Sequence, residues 1–111
     1  MATTSSSLPS TTADRFALDV LEADRPVLVD FTADWCPPCR VMKPVLAELV
    51  AERDDLSIVQ LDVDAEPEVA ARYGVLSMPT LMLFRDGAPV TTLVGARPKG
   101  RLVRELSEVL G

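Results

Sequence analysis

The chain has 111 residues, 48% of them hydrophobic, with a formal charge of −6, no histidine and two cysteines. That is one domain of chain with enough apolar content to bury a core, and far too few cysteines for a disulfide scaffold. The acidic balance argues against nucleic acid as a partner, and the lack of histidine removes the commonest metal ligand and the usual general base.

Residues 1–12 are Ser/Thr-rich and are expected to form a flexible tail ahead of a single domain spanning 13–111. The opening MATTSSSLPSTTAD has no basic or apolar signal region, and no apolar run approaches the length of a membrane span. A cytoplasmic protein without membrane contact is the expectation. Thr11 or Thr12 is placed to cap a helix from Asp14 to Ala23, with Phe16, Val20 and Leu21 as its apolar stripe. PVLVDFTA, 26–33, is short, β-branched and apolar on both alternating faces, as in a strand covered on both sides.

CRVMKPVLAELVAER has helical spacing, with Met42, Val45, Leu46, Leu49 and Val50 on one face and Pro44 expected to kink it. LSIVQLDVD, 56–64, reads as a second buried strand, and PEVAARYG, 67–74, as a short helix opened by proline and closed by glycine. TLMLF, 80–84, is a third strand. Asp86-Gly87 then signals a hairpin into PVTTLVG, 89–95, where Pro89 calls for an edge position. Residues 98–110 form a last helix facing inward through Leu102, Val103, Leu106, Val109 and Leu110. The order predicts an α/β fold: a mixed central sheet of four to five strands flanked by helices.

Cys36 and Cys39 lie three residues apart at a strand-to-helix junction. That spacing on a helix brings side chains to about 5–6 Å, a range compatible with a reversible disulfide. The helix N-terminus stabilises a thiolate. Cys36, nearer the end and expected to be the more exposed, is the natural attacker, and Cys39 the natural resolving thiol. Half a zinc site would need two more Cys or His ligands that the chain does not have, which leaves only a metal bridging two subunits. An inert buried pair is the other alternative; a thiol flanked by two prolines is not core sequence. A C-x-x-C beside a βαβ pattern is itself a redox signature.

From Asp14 to Gly111 the chain resembles the thioredoxin family, through PVLVDFTADWCPPC, YGVLSMPTLMLF, DGAPV and LVGA at their spacings. The resemblance implies a thioredoxin fold and a thiol–disulfide oxidoreductase; no cofactor is expected, and a monomer is expected because nothing in the sequence indicates oligomerisation. It would be recharged by thioredoxin reductase and would reduce disulfides in client proteins. It makes Cys36 the nucleophile and Cys39 the resolving thiol. Trp35 and Pro37 flank the site. The Met78-Pro79 bond is implied to be cis, aiming the Met78 backbone at a client and shielding the thiols from metal. Gly95 and Ala96 complete the client groove, which would take an extended segment by strand addition. Asp30 matches the family's buried aspartate, proposed to exchange a proton with the resolving thiol; burial should raise its pKa.

The chain departs from the family pattern at several positions. Pro37-Pro38 stands where Gly-Pro is commonest, which removes one backbone N–H and biases both Cys36 and Pro37 away from helical geometry. Thr32 stands where a second tryptophan is usual. Gln60 stands where a lysine often pairs with the aspartate, so Asp30 is expected to be still harder to ionise. SSSLPST promises a short or absent first edge strand. Arg97, Lys99, Arg101 and Arg104 are read as a solvated helix face.

Overall fold

The computed structural model describes residues 8–111; residues 1–7, most of the expected tail, lie outside the described residues. At its centre is β1, Val27–Thr32, in which all six residues are buried. β2 is Ser57–Asp62, β3 Thr80–Arg85 and β4 Ala88–Val94, and the sheet order is β2-β1-β3-β4. β1 pairs in parallel with β2 and antiparallel with β3, and β3 with β4 is antiparallel. A sheet that is mixed in this way and buried on both faces needs helices on each side.

The pleat sorts β1 into two sets of side chains. Leu28, with Ile58, Leu81 and Leu83, meets Met42, Leu46 and Leu49 of α1 (Pro37–Glu52) and Leu102 and Leu106 of α3 (Lys99–Leu110). Val27, Val29 and Phe31, with Val59, Leu61, Met82 and Phe84, face the opposite layer. That layer holds Phe16, Val20 and α2 (Pro67–Arg72) with Val69 and Ala70. Tyr73 closes it edge-on against Phe84, with ring centroids 5.1 Å apart.

The first helix departs from expectation. Only Ala17–Leu21 is regular, as a single π-helical turn. Thr11 does not cap it; its hydroxyl donates to the Asp19 carboxylate at 2.9 Å. Phe16 and Val20 are buried as expected and Leu21 is half-buried.

The tail also differs from expectation. Leu8 is buried in the α1/α3 layer, and Ser10 forms a single parallel bridge with Gln60. The Gln60 N–H donates to the Pro9 carbonyl, and the Thr11 N–H to the Gln60 carbonyl, both at 2.8 Å. One apolar residue and two backbone hydrogen bonds thus tie residues 8–11 to β2. The fifth edge strand expected at most is this one bridge.

The hairpin follows its signal. Asp86 and Gly87 both have positive φ, 54° and 82°, as a two-residue turn matched to strand twist requires. A bulge interrupts the β3–β4 register at Leu83/Phe84, and Pro89 sits on the edge strand.

Candidate active site

β1 runs out at Thr32, and a short turn delivers Trp35 and Cys36 to the start of α1. Cys36 is the N-cap, with extended geometry (φ −97°, ψ 106°) that a residue before proline prefers. Pro37 is taken into the helix although it too precedes a proline, because its fixed φ suits the first turn and that turn needs no N–H donor there.

The helical start sets the sulfur geometry. Cys36 and Cys39 are joined as a disulfide with Cα atoms 5.3 Å apart. The Cys39 N–H points at Cys36 Sγ at 3.2 Å, where it will stabilise a thiolate on reduction. Cys36 Sγ lies 3.7 Å from the Met78 carbonyl oxygen. Both cysteines are shielded, Cys36 at 3% exposure and Cys39 at 0%, so the expected order of access holds while its margin is small. Ala33, Val63 and Met78 pack around them.

The other expected site residues gather at the same end of the sheet. The Met78-Pro79 bond is cis. Pro79 is buried, and its carbonyl accepts the Gly95 N–H at 2.8 Å, which ties the β4 exit loop to the cis-proline loop. Gly95 turns that loop at φ 96°, a conformation side chains with a Cβ rarely adopt, and Ala96 follows exposed. Pro37 and Trp35 are exposed; the indole N–H of Trp35 donates to the Asp64 carboxylate at 2.7 Å. Asp64 was not foreseen, because nothing in the spacing of residues 35 and 64 announces the pairing.

Asp30 is fully buried on the sheet face that carries α1, and neither carboxyl oxygen has a hydrogen-bond partner among the described residues. Burial pushes its pKa up to about 6, and Lys43 acts against that rise. This corrects one expectation. Gln60 does stand beside Asp30 in register, but a cation is supplied from α1 instead: the Lys43 ammonium donates to the Gln60 side-chain carbonyl. The sequence signal was available, since Lys43 is four residues after Cys39 and falls on the inward stripe of α1.

Arg97 is a second correction. It is buried, not solvated. It forms an ion pair with Glu105 at 2.8 Å and donates to the carbonyls of Gly95 (3.2 Å) and Val94 (2.6 Å). Lys99 pairs with Glu48 and Glu52, and Arg101 with Glu105. The basic cluster is therefore largely spent on internal pairs. Among the described residues no group of three His, Cys, Asp or Glu side chains is placed to hold a metal, and no helix is long and apolar enough to cross a membrane.

Comparison with known proteins agrees with this geometry. The family model described as Thioredoxin matches residues 7–108. Thioredoxin from Mycobacterium tuberculosis is 54% identical over 96 residues, which cover 86% of this chain and 83% of that protein. Thioredoxin from Mycolicibacterium smegmatis is 50% identical, with 89% and 91% covered. The bifunctional thioredoxin reductase/thioredoxin of Mycobacterium leprae is 50% identical over 86% of this chain and 21% of its own length. A disulfide at a helix N-terminus, a cis Met78-Pro79 bond whose Met78 carbonyl lies against Cys36 Sγ and these likenesses converge: the chain belongs to the thioredoxin family of thiol–disulfide oxidoreductases.

Proposed function

We propose that Cys36 attacks client disulfides, Cys39 resolves the adduct and Asp30 takes the resolving proton, in a monomeric cytoplasmic protein recharged by thioredoxin reductase. The observation that carries this assignment is the Cys36–Cys39 disulfide capping α1, with a buried carboxylate on the α1 face of the sheet that has no hydrogen-bond partner among the described residues. The Cys36 thiolate, stabilised by the Cys39 N–H and the helix dipole, attacks one sulfur of the client disulfide and expels the other as a thiolate. Cys39 passes its proton to the Asp30 carboxylate and attacks Cys36 Sγ. The protein disulfide forms, and the second client sulfur leaves as a thiolate that takes up a proton. The client gains two electrons and the dithiol loses two. Trp35, Pro37, Met78, Pro79, Gly95 and Ala96 form the surface that receives the client, with the Met78 backbone as its polar contact. The naming of the Mycobacterium leprae relative, which joins both activities in one chain, supports a reductase as the electron source.

The Pro37-Pro38 insert makes this a variant with its own redox poise. The N–H at position 37 is gone, so the Cys39 N–H is the main backbone donor to Cys36 Sγ. A redox titration against glutathione is expected to give a potential different from the ~−270 mV typical of thioredoxin; an unchanged value would remove the insert from the argument.

Cys39→Ser tests the roles. Incubated with insulin, it is expected to accumulate a mixed disulfide seen on non-reducing gels, while Cys36→Ser gives none. Failure of Cys39→Ser to form any adduct overturns the assignment of attacker and resolver.

A further inference from the structure

The buried carboxylate has neighbours on every side, and most are apolar or neutral. On its own strand Leu28 and Thr32 share its face. Leu81 of β3 and Gln60 of β2 are its registered partners. Asp62, next along β2 on that face, has its carboxylate turned to the loop, accepting the N–H groups of Asp64 and Ala65 at 2.9 and 3.3 Å. α3 contributes Leu102 and Leu106 to this layer. From α1 come Cys39, Met42, Lys43 and Leu46, a stripe at helical spacing in which only Lys43 carries a charge when the cysteines are oxidised.

Lys43 is half-buried rather than extended into water. Its ammonium is held by the Gln60 side-chain carbonyl. That carbonyl is itself oriented, because the other end of the amide donates to the Leu8 carbonyl at 3.2 Å. An amide with its N–H end satisfied by a backbone carbonyl must present its oxygen to the lysine. Backbone hydrogen bonds from Gln60 to Pro9 and from Thr11 to Gln60 fix the residue on both sides. Neighbouring strands lie about 4.8 Å apart. A cation on the Gln60 side chain therefore stands close to the Asp30 carboxyl without contacting it.

We infer that Lys43 is a positioning residue for the proton-transfer step: held by Gln60 and, through it, by the docked Leu8–Thr11 segment, it favours the ionised Asp30 that receives the proton of Cys39. The inference rests on the proton-transfer role proposed above for Asp30. The charge opposes the desolvation that otherwise keeps the carboxyl neutral. An ammonium in direct contact with the carboxylate would hold the proton acceptor too weakly basic. One neighbour away, it offsets burial in part.

The test reads the Asp30 carboxyl carbon by NMR across pH in the oxidised protein, where neither cysteine titrates. Lys43→Met is expected to move the Asp30 midpoint upward. Gln60→Leu, which frees the ammonium, is expected to move it in the same direction by less. Lys43→Arg, keeping the charge, stays near wild type. Adding Gln60→Lys to Lys43→Met places a cation on β2 instead of α1 and brings the midpoint back down. The acidic limb of the pH–rate profile for disulfide reduction should move with the midpoint in each case. Coincident midpoints for wild type, Lys43→Met and Gln60→Leu overturn the inference, as does an equal rise in Lys43→Arg, which would mark a packing role. Asp30→Asn separates the two proposals. If it leaves the rate profile unchanged, proton transfer by Asp30 fails and the positioning role in catalysis falls with it. If it changes the profile while Lys43→Met does not move the midpoint, only the lysine assignment fails.

Discussion

Replacing Asp30 with asparagine removes a carboxyl that the fold holds against its preference. Burial raises it from 3.8 to about 6, and at roughly 1.4 kcal/mol per pH unit that corresponds to about 3 kcal/mol. The sign follows from proton counts. Between the two values the folded state keeps a proton that the unfolded chain has released, so stability falls as pH rises from about 4 through about 6 and levels off above. The substituted amide does not titrate, so other ionising groups contribute equally to both proteins and cancel in the difference. The assay is urea unfolding of oxidised wild type and Asp30→Asn, every half pH unit from about 4 to 8. Relative to the variant, wild type should lose about 2 kcal/mol across that window, the rest of the about 3 kcal/mol lying below pH 4. Parallel curves would show that the carboxyl is not desolvated, and the proton-transfer argument would lose its physical basis.

Arg97→Met should lower stability by about 1–3 kcal/mol, measured by urea unfolding, because the Val94 and Gly95 carbonyls lose a charged donor. The same change should raise KM for disulfide clients more than it lowers kcat, since the loop it holds borders the proposed client groove. Pro37→Gly adds a backbone N–H beside Cys36 Sγ, so the Cys36 thiolate should form at lower pH, read by its ultraviolet absorbance. Leu46→Ala, at a fully buried position between α1 and the sheet, should cost about 2–5 kcal/mol in unfolding free energy.

Much of the architecture is legible in the sequence. The β-branched run at Val27–Thr32, the Asp86-Gly87 turn and the apolar stripe of α3 each satisfy one local rule that the tertiary structure does not override. The two cysteines were legible from their spacing at a strand-to-helix junction, whereas the cis bond at Pro79 was legible only through the family resemblance. What was missed depends on partners distant in sequence. Leu8 is a lone apolar residue among serines, so periodicity is silent about it, yet it fills the α1/α3 layer. Asp30 was recognisable as buried, but the cation near it required the β1–β2 register and the inward stripe of α1 together. Arg97 looked like one of four surface charges; only the return of α3 brings Glu105 to it. The short first helix shows the opposite error, in which a plausible stripe was extended beyond the one turn that Phe16 and Val20 secure.

A protein that offers backbone hydrogen bonds to extended chains at one rim risks offering them to its own copies at the others. The two outer strands manage that risk differently. On β4 a proline without an N–H and a register bulge spoil the flat, unbroken edge that fibril growth needs. On β2 the Leu8–Thr11 strap occupies part of the edge with its own backbone. Trimming the chain back to residue 12 would therefore bare a sticky seam, so solubility at high concentration depends on a stretch that looks dispensable.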